Sequence, residues 1–138
     1  MNSKIFKVIL VILGVITISG MGAIIYLLVN EDDPDRELTL DEQLEYAYQT
    51  EEINLDLEDR RFVQLQFSII TNSEDARDEV EKREFQLKNI LIKESVNLSS
   101  SELHEDLDSL ERLLKEEMNE QMEEGEITDI YIISKIVQ

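Results

Sequence analysis

One histidine, His104, and no cysteine stand in this chain of 138 residues. A metal centre or a nucleophilic triad needs several such groups at matched spacing, so His104 alone supports neither. It is expected to face solvent from a helix whose buried stripe runs through Leu103 and Leu107. After residue 29 the only glycine is Gly125. Phosphate-cradling loops and dinucleotide fingerprints need several, and the calcium loop of an EF-hand needs one at its centre. Asn97-Leu98-Ser99 fits the glycosylation sequon, which matters only on a eukaryotic secretory route. Carboxylates are abundant rather than arranged. Glu116, Glu117, Glu120, Glu123 and Glu124 crowd the expected end of a helix, where like charges four apart and acids at the negative end of the dipole together cost about 1 kcal/mol. Such a cluster is either a solvated face or a docking face for a cation-bearing neighbour. Glu116, Glu120 and Glu124 are the contact candidates. No catalytic residue, metal ligand or cofactor is assigned, and an enzyme is not expected.

The elements that would position these residues begin with a long apolar run. No charged side chain occurs from Val8 to Val29. As a helix those residues extend about 33 Å, enough to cross the hydrocarbon core of a bilayer. Lys4 and Lys7 precede the run and Glu31, Asp32, Asp33 and Asp35 follow it, which orients the N-terminus toward the cytoplasm. Tyr26 would sit near the outer interface. A cleaved signal peptide is the rival reading, with small residues at Gly20-Met21-Gly22-Ala23. However, its apolar region is ordinarily about 7–15 residues, and cleavage would leave Ile24 to Val29 as a greasy new end. Ser19 and Ala23 are spaced for close helix packing, with Gly14, Gly20 and Gly22 nearby. The organisation read from sequence is a cytoplasmic N-terminus at 1–7, a transmembrane helix at 8–29, an acidic linker at 30–38, a juxtamembrane helix at 39–52 and an extracytoplasmic α+β domain at 53–138.

The whole chain carries 13 basic and 32 acidic residues. Without Lys4 and Lys7 the balance is 11 against 32, a net charge of −21. Such a surface repels nucleic-acid phosphate and anionic lipid. The lack of cysteine argues against a disulfide-stapled eukaryotic module.

Within the outer part, Thr39 to Glu42 reads as a capping box opening a helix to about Gln49. Leu40, Leu44 and Tyr48 would share its apolar stripe, a candidate partner contact. Ile53, Leu55 and Leu57 alternate with polar residues, as in an edge strand, and a polar turn leads to a strand at 62–71 with Val63, Leu65, Phe67 and Ile69 inward. Ser73 can cap a helix running to about Ser95, with Val80, Leu87 and Leu91 along its stripe. Ser99 and Glu102 form another capping box before a leucine-rich segment. Gly125 is expected at the C′ position of that last helix. Residues 127–137 are β-branched or aromatic and read as a final strand. Were the strands at 62–71 and 127–137 parallel, the helices between them would form a right-handed crossover.

Several segments, in this order, resemble the flagellar basal-body-associated FliL family. They are Leu87-Lys88-Asn89-Ile90-Leu91-Ile92, then Leu98-Ser99-Ser100-Ser101-Glu102-Leu103, then Leu113-Leu114-Lys115-Glu116-Glu117-Met118-Asn119, then Glu124-Gly125-Glu126-Ile127-Thr128-Asp129-Ile130-Tyr131, and finally Ile136-Val137-Gln138. Lys88-Asn89 and Lys135 depart from the family's usual Arg-Asp and aromatic. The resemblance implies a stomatin/prohibitin-like domain in a non-enzymatic motor accessory. It also implies a homo-oligomeric ring around the ion-driven stator proteins that favours their open, torque-generating state. A membrane-tethered envelope scaffold or sensor unrelated to motility is the alternative.

Overall fold

A computed structural model describes residues 2–30 and 36–138. Residues 31–35, inside the acidic linker expected at 30–38, lie outside the described residues. The chain divides into two compact units, Met1–Glu37 and Leu38–Gln138. The first contains α1 (Ser3–Asn30), of which Ser3–Val29 is long and apolar enough to cross a membrane. It is apolar on all sides, and its described side chains from Ser3 to Val29 are exposed. A helix of that kind suits a lipid environment.

The second unit runs α2 (Leu40–Glu45), β1 (Ala47–Gln49), β2 (Ile53–Asp56), β3 (Phe62–Thr71), α3 (Glu74–Lys82), α4 (Glu84–Ser95), α5 (Ser100–Glu105), α6 (Leu107–Asn119) and β4 (Ile127–Val137). It is an α+β domain. All four strands are antiparallel, and β3 is the centre of the sheet. β4 pairs along one edge of β3, from Val63 opposite Val137 to Thr71 opposite Ile127. β1 and β2 lie end to end along the other edge, at 68–70 and 62–65 of β3. Thr50 carries the pairing across their junction. Its N–H donates to the Phe67 carbonyl at 3.0 Å, and its hydroxyl accepts the Phe67 N–H at 3.1 Å.

Strand period 2 turns Val63, Leu65, Phe67 and Ile69 to one face, where they join Ile53, Leu55, Ile127 and Ile130. The helices close over that face with Val80, Leu87, Leu91, Leu103, Leu110, Leu114 and Met118. Burying side chains of this size stabilises the fold by about 1.5–3 kcal/mol each, so the core is one continuous seam between sheet and helices.

Three expectations change, and one open alternative is decided. The helix expected to reach Gln49 stops at Glu45, because residues 47–49 pair with β3 and ladder bonds outweigh weak helical propensity. The helix expected from Ser73 to Ser95 is two helices meeting at Arg83, whose φ of −94° and ψ of 8° break the regular path. Gly125 has a φ of +120°, but it lies six residues beyond the end of α6, in the turn before β4, and is not a C′ cap. Finally, β3 and β4 are antiparallel, so there is no crossover. The helical excursion returns to the end of β3 that it left: the Asn72 N–H donates to the Glu126 carbonyl at 3.1 Å. A chain that comes back to its point of departure must run antiparallel.

Candidate partner-binding surfaces

α2 is only six residues long and has no buried residue. A lone helix of this length is unstable in water, so it needs fixing at both ends. At its start the Thr39 N–H donates to the Glu42 carboxylate at 2.9 Å, and the Glu42 N–H donates back to the Thr39 hydroxyl at 3.3 Å. At its end the Arg77 guanidinium donates to the Glu45 carbonyl at 2.8 Å, and the Thr71 hydroxyl donates to the Tyr46 carbonyl at 2.8 Å. α2 is thereby tied to α3 and β3. Leu40 and Leu44 project from it, 70% and 67% exposed.

Tyr48 is not on that stripe. It sits in β1, half-buried against the core, and its hydroxyl donates to the Glu84 carboxylate. Lys88 reaches the same carboxylate at 2.9 Å. Burial raises the tyrosine far above its usual value, and the Glu84 hydrogen bond and charge add to this. Burial pushes Glu84 up, but the hydrogen bonds from Tyr48 and Lys88 outweigh that and hold it below the ordinary carboxylate range. The three residues tie β1 to α4, a structural use of Tyr48.

Glu116, Glu120 and Glu124 are all exposed. Glu116 and Glu120 stand one turn apart at the end of α6, while Glu124 lies beyond the helix in the turn that follows. What holds that turn is Glu79, which sequence reasoning passed over. Its carboxylate accepts the N–H of Glu123 at 3.0 Å and of Glu124 at 2.6 Å, and Arg83 donates to it at 2.6 Å. Burial opposes its ionisation, yet the Glu124 N–H, Arg83 and the Glu123 N–H together keep it below the ordinary range. The four-residue spacing of Glu79 and Arg83 is visible in sequence as a helical ion pair. Nothing local announces the backbone groups it gathers from forty residues away.

On α1, a Cβ added at Gly14, Gly20 or Gly22 would meet nothing within 4 Å. At about 100° per residue, Ser19, Gly22 and Ala23 gather on one side and Gly14 lies roughly opposite. The helix therefore does not bring the five small residues onto one stripe. His104 is exposed, with its Nδ1 3.2 Å from the Lys135 ammonium nitrogen. Among the described residues, no group of three or more His, Cys, Asp or Glu is placed to hold a metal ion.

Two apolar surfaces stand open where the sequence pattern set their residues beside a helix's buried stripe or along the final strand. Phe85, Ile92 and Val96 are exposed along α4, and Tyr131, Ile133 and Ile136 along β4. The outer edge of β4 pairs with no described strand; at its bulge, the Ile132 N–H is taken by the Glu111 carboxylate at 2.8 Å.

The segment that folds into this sheet and the helices covering it matches a known family. The model of the flagellar basal body-associated protein FliL matches residues 46–138, more than half of the chain. The chain belongs to the FliL family. It is also similar to the flagellar protein FliL of Bacillus subtilis (strain 168), 26% identical over 119 residues that cover 83% of this chain and 85% of the relative. The family match begins at Tyr46, where α2 ends, and takes in every strand of the sheet. In this FliL-family protein α2 and α1 precede the matched domain.

Proposed function

We propose that this FliL-family protein is a single-pass anchor-and-scaffold of the flagellar motor. α1 crosses the cytoplasmic membrane with its N-terminus inside, and the domain of residues 38–138 stands outside. Copies assemble as a ring about the ion-driven stator units and favour their active state. The observation that carries this reading is the family match over 46–138 preceded by one membrane-length apolar helix. The exposed Leu40 and Leu44 support it, because α2 is the first described element after α1 in the chain and stands fixed to its domain.

The decisive experiment pairs purification with genetics. Full-length protein, tagged and extracted from membranes, should bring down both stator proteins, and a deletion strain should lose motility while its wall growth stays normal. A deletion strain that swims and swarms like its parent overturns the proposal. Orientation is tested separately. The chain has no cysteine, so a single cysteine at position 116 should react with a membrane-impermeant thiol reagent added to intact cells from which the outer barrier has been removed.

A further inference from the structure

A groove of about 290 Å³ lies between the end of α4, α5 and α6. That is just under the ~300–1,000 Å³ of small-molecule sites, a size for one or two side-chain anchors rather than a cofactor. Leu110 is buried in it, and Leu98 and Leu113 are half-buried there. Its rim is of one sign: Glu94, Glu102, Glu105 and Asp106 line it, and no basic residue does.

The rim carboxylates differ in what they already do. Glu102 is committed to the capping box of Ser99. Asp106 caps α6 through Ser109 and has the Arg112 guanidinium nearby. Glu94 and Glu105 make no ion pair among the described residues, so their charge is unmatched. An apolar floor within an acidic rim selects its occupant by charge. The rim repels an anionic lipid, and it repels any acidic face that a second copy would bring to it. The remaining match is a segment with apolar anchors flanked by Lys or Arg.

We infer that this groove is a docking site for a cationic amphipathic peptide segment of a partner protein. Its apolar side chains would enter over Leu98 and Leu113, and its cations would face Glu94 and Glu105. The inference is independent of which motor component the protein serves. Helix-in-groove recognition places anchors at i, i+3 or i+4, and i+7, and the rim charges add attraction and orientation.

The probe is a fluorescein-labelled amphipathic helix of leucine and lysine in that pattern. It is titrated by anisotropy against the full chain in zwitterionic nanodiscs, with empty discs subtracted. Binding should weaken at least tenfold in the double variant Glu94→Lys/Glu105→Lys. The same charge change away from the groove, Glu51→Lys/Glu126→Lys, should alter it less than twofold. Leu113→Gln should also weaken binding; if that variant unfolds, as circular dichroism would report, the surface charge reversals still decide. An equal loss from both double variants means diffuse acidity and overturns the inference. Equal binding of a leucine–glutamate peptide overturns it by indicating a merely lipophilic groove. A change of oligomeric state on mutating Glu94 and Glu105, read by sedimentation, assigns the groove to a second copy and overturns it as well.

Discussion

At the scale of single residues, Glu79 and Gly125 hold the turn into β4 by opposite means. Glu79 supplies a charge to backbone N–H groups; Gly125 supplies the absence of a side chain. Removing Glu79 leaves the Glu123 and Glu124 N–H groups and the Arg83 guanidinium without their acceptor. Glu79→Ala should therefore cost about 2–3 kcal/mol in urea unfolding, whereas an exposed acid such as Glu116 should cost within about 0.5 kcal/mol. The same carboxylate predicts an acid limb. The folded values of Glu79 and Glu84 lie below their ordinary 4.5, so the unfolded chain binds more protons in the window beneath it. Their stabilisation is complete above that pH and declines as pH falls through the folded values. Glu79→Gln should flatten this part of the stability curve, a change read by denaturation at stepped pH. Gly125 is tested by alanine. Its φ of +120° disfavours any side chain, and a Cβ there would come within 2.5 Å of Asn72 Oδ1. Gly125→Ala should lose more than about 1 kcal/mol, and lose it even in an Asn72→Ala background, where the closest clash is gone but the approach to Ala76 Cβ at 3.0 Å and the backbone strain remain.

At the scale of elements, α2 separates exposure from stability. Leu40 and Leu44 contribute little to folding because neither is covered. Full burial of a leucine against a partner is worth about 1.5–3 kcal/mol. Leu40→Gln/Leu44→Gln should leave the melting temperature unchanged and weaken capture of the stator proteins about a hundredfold or more. A variant that melts early, or binds as before, would return these leucines to an ordinary surface role. α2 also marks where sequence was legible. Its start was readable because a capping box is a local pattern, and Thr39 and Glu42 make both bonds. Its end was not, because Tyr48 keeps the helical spacing from Leu44 while Ala47 to Gln49 answer to β3. The strands at 62–71 and 127–137 were legible to the residue, since β-branched runs with inward alternation need only a core to face. Their relative direction was not, because it depends on how the 120–126 turn docks on Ser73, Asn72 and Glu79, contacts that no local pattern carries. Of the candidate contacts, the α2 leucines and the acids at the end of α6 lie on the surface, and Tyr48 is spent inside.

At the scale of the whole molecule, charge is the dominant imbalance. Thirteen basic residues face 32 acids, so even if every cation were paired most of the acids would lack one; pairs that form are Arg77 with Glu74 and Asp78, Arg83 with Glu79, and Lys88 with Glu84. Most carboxylates therefore see one another across the surface more than they see a cation. Self-repulsion of this sort destabilises the compact state and is screened over about 10 Å at 0.1 M salt and about 3 Å at 1 M. The exposed pairs at Arg77 are weakened by the same salt, but each is worth at most about 1 kcal/mol. Repulsion should win. Thermal melting of the full chain in neutral detergent should rise steadily from 0.05 to 1 M NaCl. To separate screening from the general salting-out that also favours burial, the same scan is run on a variant with six exposed acids away from the proposed contacts converted to glutamine. That variant should melt higher at low salt and gain less from added salt. Identical slopes for the two proteins would mean that the acidic surface carries no folding penalty and that its charge acts only on what approaches it.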